Sequence, residues 1–315
     1  MRVGVVDIGT NSTRLLIADV VDGRVAAQLD RRSEVTRLGA GVDASGRLDD
    51  GAIARVFTVL DAYRAAIDEQ RCELTTAVLT SAVRDAANGA DFTAQVRERY
   101  DLPARTIDGD EEARLTFLGA TSERPESERQ PLLVIDIGGG STEFVLGQQG
   151  RVAFHVSTQA GVVRQSERHL HSDPPEADEL RRLSEEMHEI VATAVPEAIR
   201  EQAATAIGVA GTATACAAIA QGLDPYDSAR VHGYVLSLLE LEQLLVRLAA
   251  IALARRREVA GLHPDRAPTI VAGIAIMIEA LRAFGLEQVE VSEHDILRGA
   301  ALACVREPEA SGAGA

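Results

Sequence analysis

The chain contains no lysine, so all 32 of its Lys and Arg residues are arginine. That absence excludes a lysine-bearing Walker loop, a Schiff-base lysine and a lysine general base in one step. Codon bias is the bland reading of the absence itself. Its consequence is that every fixed cation is a guanidinium, the group suited to bidentate contact with phosphate. Cysteine is scarce: Cys72, Cys216 and Cys304 are widely separated in apolar surroundings. They show no metal-ligand spacing and suggest a reduced, cytoplasmic protein. No apolar run approaches the roughly 20 residues of a membrane helix. The N-terminus leads straight into a strand, so no signal peptide is expected. Positive charge is also in deficit, with 48 acidic residues giving a formal net charge of −16. That balance argues against nucleic-acid binding. It also opposes a polyanionic substrate unless a cation, arginines and backbone amides offset it locally.

What is present is a repeated loop. Val134-Ile135-Asp136-Ile137-Gly138-Gly139-Gly140-Ser141-Thr142-Glu143-Phe144-Val145 is an apolar run ending in Asp136, three glycines, and a second apolar run led by Ser-Thr-Glu. Short apolar runs bounded by glycine read as buried strands. The glycines read as a tight turn that lets backbone approach a ligand. Backbone N–H groups beside the carboxylates of Asp136 and Glu143 suggest phosphate bridged to a hard cation. Val5-Val6-Asp7-Ile8-Gly9-Thr10-Asn11-Ser12-Thr13-Arg14-Leu15-Leu16-Ile17 repeats the device near the N-terminus. Without gaps, Asp7 aligns with Asp136, Gly9 with Gly138, Ser12 with Ser141 and Thr13 with Thr142. A turn signal and another strand follow each copy, Asp22-Gly23 in the first and Gln148-Gln149-Gly150 in the second. A glycine turn without function explains either loop alone, but two copies in register argue against coincidence.

A length of 315 residues is natural for two domains. Asp49 is a candidate N-cap for a helix to about Gln70. In Thr80-Ser81-Ala82-Val83-Arg84-Asp85-Ala86 a strand opens into a helix, which places free N–H groups and Arg84 at a candidate anion site. A solvated helix arginine is the bland alternative. Asp108 followed by Glu111 is a capping-box pattern for a helix to about Ala120. Glu111 and Glu112 diverge by about a quarter turn on it. First-turn carboxylates usually only complement the helix dipole, but the small residues on Glu112's side suit a cleft wall. The polar break at 122–130 is placed as the domain boundary. Asp173-Pro174-Pro175-Glu176 is expected to start a helix running to about Arg200. Gly211-Thr212-Ala213-Thr214, after a strand at 204–210, is a third candidate anion or nucleotide loop, or else close helix–strand packing. Helices are expected over 236–253, 254–260 and 264–284, a strand over 288–292, and a last helix over 295–305. The tail from Glu307 to Ala315 is expected to be disordered.

Two Asp-Gly-rich hairpin loops and a Gly-Thr-Ala-Thr loop resemble the layout of the actin/hexokinase/heat-shock ATPase superfamily. Gly109-Asp110-Glu111-Glu112-Ala113-Arg114-Leu115 together with Gly138-Gly139-Gly140-Ser141-Thr142-Glu143 narrows the resemblance to the Ppx/GppA family of exopolyphosphatases and guanosine pentaphosphate phosphohydrolases. It extends to about Val305. It implies an α/β fold of two actin-like (ribonuclease H-like) domains, each with a mixed central sheet, and an interdomain active-site cleft. The expected bounds are 1–125 plus about 295–306 for the first domain and 126–294 for the second. The resemblance also implies roles. Glu112 matches the catalytic base and Arg84 a phosphate-binding arginine. Asp136 and Glu143 match carboxylates at a Mg²⁺ (or Mn²⁺) and phosphate site, with Asp7 facing them. Gly138, Gly139, Gly140 and Ser141 match the phosphate loop, with Thr10, Asn11 and Ser12 as its counterpart, and Gly211 and Thr212 as further contacts.

The expected activity is Mg²⁺-dependent removal of the terminal phosphate of inorganic polyphosphate. The alternatives are hydrolysis of guanosine pentaphosphate (pppGpp), or a polyphosphate or alarmone sensor with weak turnover. A sugar kinase would need an aspartate base and a sugar-binding insertion, and neither is found. The expected partners are the substrate and a second copy in a homodimer, with no nucleic acid and no membrane. Two departures stand out. A C-terminal helical extension of longer members is missing, which bears on processivity. The family's acidic-Gly-x-x-Arg-Glu-Gly stretch reads Glu293-His294-Asp295-Ile296-Leu297-Arg298-Gly299 here.

Overall fold

The computed structural model describes residues 1–125 and 130–312, with the side chains of the last helix described only as far as 306. Two compact units emerge, one of residues 1–123 and 294–315, the other of residues 124–293. Part of the polar break expected as a boundary, 126–129, lies outside the described residues.

In the first unit, β1 (Arg2–Ile8), β2 (Ser12–Val21) and β3 (Arg24–Val35) form an antiparallel meander. α1 (Val42–Ser45) and α2 (Asp50–Glu69) lead to β4 (Leu74–Leu79), which pairs parallel to β1. α3 (Ser81–Asp85) and α4 (Gly89–Tyr100) precede β5 (Ala104–Thr106), and α5 (Gly109–Ala120) follows it. The sheet order is β3-β2-β1-β4-β5. Its faces follow the strand period of two. Val6, Ile8, Leu15 and Ile17 pack with Val56, Leu60 and Ile67 of α2 and Phe92 of α4. Val3, Val5, Leu16 and Ala18 pack with Leu115 of α5 and with Leu297 and Ala301 of the chain's last helix. A strand covered on both faces is nearly all apolar, and so is β1. The Asp49 side chain accepts the Ala52 N–H at 2.9 Å, the cap expected for α2.

The second unit repeats this plan. β6 (Leu132–Ile137), β7 (Thr142–Gln148) and β8 (Arg151–Thr158) are the antiparallel meander. α6 (Val162–His169), α7 (Ala177–Ala194) and α8 (Glu197–Arg200) lead to β9 (Thr205–Val209), parallel to β6 as β4 is to β1. Then come α9 (Ala210–Gln221), α10 (Ser228–Val231), β10 (Val235–Ser237), α11 (Leu238–Ala249), α12 (Leu253–Arg256), a 3₁₀ turn at Pro264–Arg266, α13 (Ile270–Ala283) and β11 (Gln288–Val291). The order is β10-β11-β9-β6-β7-β8. α13 is apolar all round because the unit's core encloses it. The chain then returns to the first unit as α14 (Ile296–Gly312).

Several expected boundaries move, each for a local reason. The helix expected to reach Arg200 stops at Ala194, because Pro196 forces Val195 into an extended conformation. It also starts later than Pro174: the carboxylate of Glu179 takes the Glu176 N–H at 2.9 Å and sets the first turn there. The helix expected from Leu236 is preceded by β10, and the Ser237 hydroxyl accepts the Glu240 N–H at 3.2 Å to begin α11. The expected 264–284 helix is divided into a 3₁₀ turn and α13. The expected disordered tail is helical as far as Gly312, and 313–315 lie outside the described residues. No described helix is long and apolar enough to cross a membrane.

α5 and α14 meet backbone to backbone. A Cβ on Gly119 would lie 1.9 Å from the Asp295 carbonyl oxygen, and one on Gly299 would lie 1.8 Å from that of Leu115. Gly299→Ala therefore forces the helices apart. It should cost about 1–3 kcal/mol, as overpacking does, read as a lower urea midpoint. An unchanged midpoint would contradict this contact.

Candidate active site

The two repeated loops close in the same way. Gly9 N–H donates to the Ser12 carbonyl at 3.0 Å, and Gly138 N–H donates to the Ser141 carbonyl at 3.0 Å. Neighbouring backbone holds each loop from outside. Gly39 N–H reaches the Thr10 carbonyl at 2.8 Å, and Thr36 and Arg37 N–H reach that of Asn11. In the second unit the start of α6 does this work: Val162 N–H donates to Gly138 and Val163 N–H to Gly139, at 2.9 and 2.8 Å. Gly161 allows the approach, since a Cβ there would lie 2.4 Å from the Gly139 carbonyl.

At the strand ends the two copies diverge. Asp136 sits directly across from Glu143 on β6 and β7. Cross-strand partners project to one face of a sheet, so two buried carboxylates lie side by side. Glu143 accepts a hydrogen bond from the Ser157 hydroxyl at 2.8 Å, which orients it. In the first unit the residue across from Asp7 is Arg14. Its Nε donates to Asp7 Oδ2 at 2.7 Å. Arg14 also pairs with Asp295, at the start of α14, and Asp295 pairs with Arg31 of β3. The other Asp7 oxygen, Oδ1, is buried and has no hydrogen-bond partner among the described residues.

Glu112 is buried on the first turn of α5. Asp108 caps that turn, accepting the Glu111 N–H at 2.8 Å, so the Asp108 half of the expected capping box forms. Glu111 turns away to Arg105 and Arg114, each at 3.0 Å. Glu112 faces Arg84, whose Nη1 donates to its Oε2 at 3.1 Å and to the Ile107 carbonyl at 3.0 Å. Arg84 comes from α3, which opens directly after the strand as the Thr80-to-Ala86 segment suggested, with Thr80 at the N-cap position. Beside it, the hydroxyls of Thr10 and Ser81 share a 2.9 Å hydrogen bond and join the first loop to α3.

Burial dominates the electrostatics. It pushes Glu112 up from 4.5 to about 7, against the pull of Arg84's hydrogen bond and charge; Asp7 adds to the rise and Arg14 opposes it. Asp7 is raised by burial, against Arg14. Burial would raise Asp295 too, but the charges of Arg14 and Arg31 and the Leu297 N–H outweigh it and bring it below its usual value. The structure thus brings Glu112, Arg84, Asp7 and Thr10 together in the first unit. It pairs Asp136 with Glu143 beside Gly138–Ser141 in the second. Gly211 follows β9, whose last residue Val209 pairs with Asp136, and Arg266 Nη1 donates to its carbonyl at 2.7 Å. A Cβ on Gly211 would lie 2.4 Å from that guanidinium, so the glycine makes room for Arg266. Reading the sequence for function missed Arg14, Asp295, Ser157 and Arg266. Arg14 had a signal, because the ungapped repeat places it against Glu143.

Arg84→Met removes the cation that holds Glu112 down, so its midpoint should rise above about 7. A ¹³C carboxyl titration, with the resonance assigned by Glu112→Gln, reads it. A midpoint that stays or falls would contradict the pairing. Stability follows with the opposite sign to a salt-bridged acid. Between 4.5 and about 7 the folded protein keeps a proton that the unfolded chain has released. This group's contribution therefore declines as pH rises through that window.

Known proteins match this architecture closely. Exopolyphosphatase 2 of Mycobacterium tuberculosis is 42% identical over 316 residues, covering 96% of this chain and 98% of that protein. The structure of the Aquifex aeolicus PPX-GPPA enzyme superposes with a TM-score of 0.81 at 32% identity, covering 96% of this chain and 99% of that one. An exopolyphosphatase from Cytophaga hutchinsonii gives 0.87 at 28% identity, covering 96% and 98%. These likenesses identify the two mixed sheets as those of two actin-like domains. The model of the Ppx/GppA phosphatase family matches residues 16–302, and this chain, a hydrolase of the phosphatase type, belongs to that family.

Proposed function

We propose that the protein is an exopolyphosphatase that removes the terminal phosphate of inorganic polyphosphate, with Glu112 as general base. The observation that carries this is the buried Glu112 carboxyl, held by Arg84 and brought to about 7. A base whose proton affinity lies near neutrality combines a useful ionised fraction with the strongest pull on a proton. Water bound against Glu112 gives a proton to its carboxylate as the oxygen attacks the terminal phosphorus. The phosphoanhydride bond breaks, and its electron pair leaves on the terminal oxygen of the shortened chain. Arg84 neutralises the phosphoryl group as it transfers. In the second unit the amides of Gly139 and Gly140 and the Ser141 hydroxyl, and in the first the hydroxyls of Thr10 and Ser12, offer donors to phosphate oxygens, while the Gly138 amide is spent on closing its loop. Positioning and charge neutralisation of this kind carry most of phosphoryl transfer.

Asp136 and Glu143 fit a hard divalent cation. They are two buried carboxylates on one face, with only oxygen donors. That set suits Mg²⁺ or Mn²⁺; in its own unit Asp7 offers an oxygen through Oδ1. Such a cation, when bound, would offset the negative charge of the substrate.

Glu112→Gln keeps the size and removes the base. It should lower kcat by about 10²- to 10⁴-fold with a smaller change in KM, followed as phosphate release. Wild-type turnover in that variant would end the assignment. Chelation by EDTA should abolish turnover, and Mg²⁺ should restore it; full activity in EDTA would remove the cation from the reading. Substrate choice is decided by comparing short polyphosphate, long polyphosphate and pppGpp. Release from polyphosphate is expected, a clear preference for pppGpp would move the reading to the nucleotide, and release from none would defeat both.

A further inference from the structure

Asp295 lies in the stretch that departs from the family pattern, and the reaction as proposed leaves it without a task. Yet it is fully buried, it is charged, and its two oxygens do separate jobs. Oδ1 accepts the Leu297 N–H at 3.1 Å and so fixes the carboxylate to the first turn of α14. Oδ2 takes the guanidinium of Arg14, with Arg31 at 3.5 Å on the same oxygen. Arg14 in turn contacts Asp7 Oδ2 through both Nε and Nη2, at 2.7 and 2.5 Å. Two carboxylates and two guanidiniums therefore alternate from α14 through β2 to the end of β1. The chain of contacts stops at Asp7 Oδ1, which is buried and has no hydrogen-bond partner among the described residues. A buried carboxylate oxygen left unpaired is costly, and an oxygen held in place by a two-point clamp on its twin is a ligand atom in waiting. The second unit sets the contrast: where the first has Arg14, the same cross-strand position holds Glu143.

We propose that Arg14 and Asp295 are positioning residues that lock Asp7 by one oxygen, so that the other is presented to the cation or phosphate of the active site. Asp295 sets the Arg14 guanidinium, and Arg14 sets the rotation of the Asp7 carboxylate. Arg14 also removes one negative charge from beside Glu112, so Asp7 can serve the substrate without repelling it as strongly. The role is that of an outer partner to a ligand. Losing such a partner typically costs about 10- to 100-fold in metal affinity or activity. The inference rests on the reading of Asp7 as a ligand of that site.

The test compares full-length wild type with Asp7→Asn, Asp295→Asn and the double variant Arg14→Met/Asp295→Leu. The double variant also takes Arg14 from Asp7 and Asp295 from Arg31, so it is the more disruptive change; Asp295→Asn, which keeps the size and shape of the side chain, guards against loss of the fold. Three quantities are read: Mn²⁺ affinity by EPR on protein without substrate, kcat and KM for polyphosphate, and the thermal midpoint. Asp295→Asn and the double variant should both weaken Mn²⁺ binding or lower kcat by about 10- to 100-fold. KM should move less than about threefold, and Asp295→Asn should stay folded at the assay temperature. If Asp7→Asn loses affinity or turnover while both other variants stay within about twofold of wild type, positioning is overturned and Asp7's own role stands. The same holds if either variant, assayed at a temperature where its thermal midpoint shows it folded, has wild-type kcat and Mn²⁺ affinity, since the pair then acts on folding alone. If Asp7→Asn itself behaves as wild type, Asp7 is no ligand, and the inference fails with that reading rather than by itself.

Discussion

A carboxylate at the end of a buried strand must be compensated, and much of this molecule follows from how that is done twice. β1 and β6 are covered on both faces and deliver Asp7 and Asp136 into surroundings from which water is largely excluded. An isolated ionised carboxylate is not tolerated there. The first unit answers with arginine and the second sets another carboxylate alongside. One unit thus sets a guanidinium across from its carboxylate, while the other sets two carboxylates across from each other. A chain with a net charge of −16 handles a polyanionic substrate by this local division, not by its overall charge.

Glu112 belongs to the same logic. Its burial on α5 and the neighbouring Asp7 act against ionisation, and Arg84 and Arg14 act for it. No one of these groups sets the outcome. The guanidiniums are themselves anchored, Arg84 by the Ile107 carbonyl and Arg14 by Asp295, so the balance depends on backbone geometry as much as on charge.

Much of this was legible in the sequence because it is local. The repeated Asp-x-Gly loop, the strands flanking it and the position of Glu112 follow from period, glycine and capping. Pairs of residues aligned by the repeat also turn out to be structurally equivalent, down to the Gly9–Ser12 and Gly138–Ser141 hydrogen bonds. What was not legible is either fine-grained or distant. Pro196 ends α7 through its effect on one residue, and a three-residue β10 is too short to show a period. Ser157 acts on Glu143 across a hairpin, and Arg266 reaches Gly211 from 55 positions away. Asp295 looked like a lapse in a motif. Its partner lies 281 residues earlier, and no spacing rule connects the two.

The return of the chain to its first unit has a consequence in time. Residues 124–293 form an uninterrupted unit, whereas the first unit consists of 1–123 and a closing piece from 294 onward. During synthesis a domain can fold once its own residues have emerged. The sheet β3-β2-β1-β4-β5 therefore emerges with one of its faces waiting for α14. Closing so long a loop adds little to the thermodynamic cost, since each doubling of length adds only about 0.6 kcal/mol. It does impose an order of events. Arg14 has Asp7 beside it from the start, but it meets Asp295, and Leu115 meets α14, only after residues 124–293 have been made. A nascent chain at any earlier stage holds the loops and Glu112 but not that helix, so the first unit completes its charge balance only after the whole of the second unit has emerged.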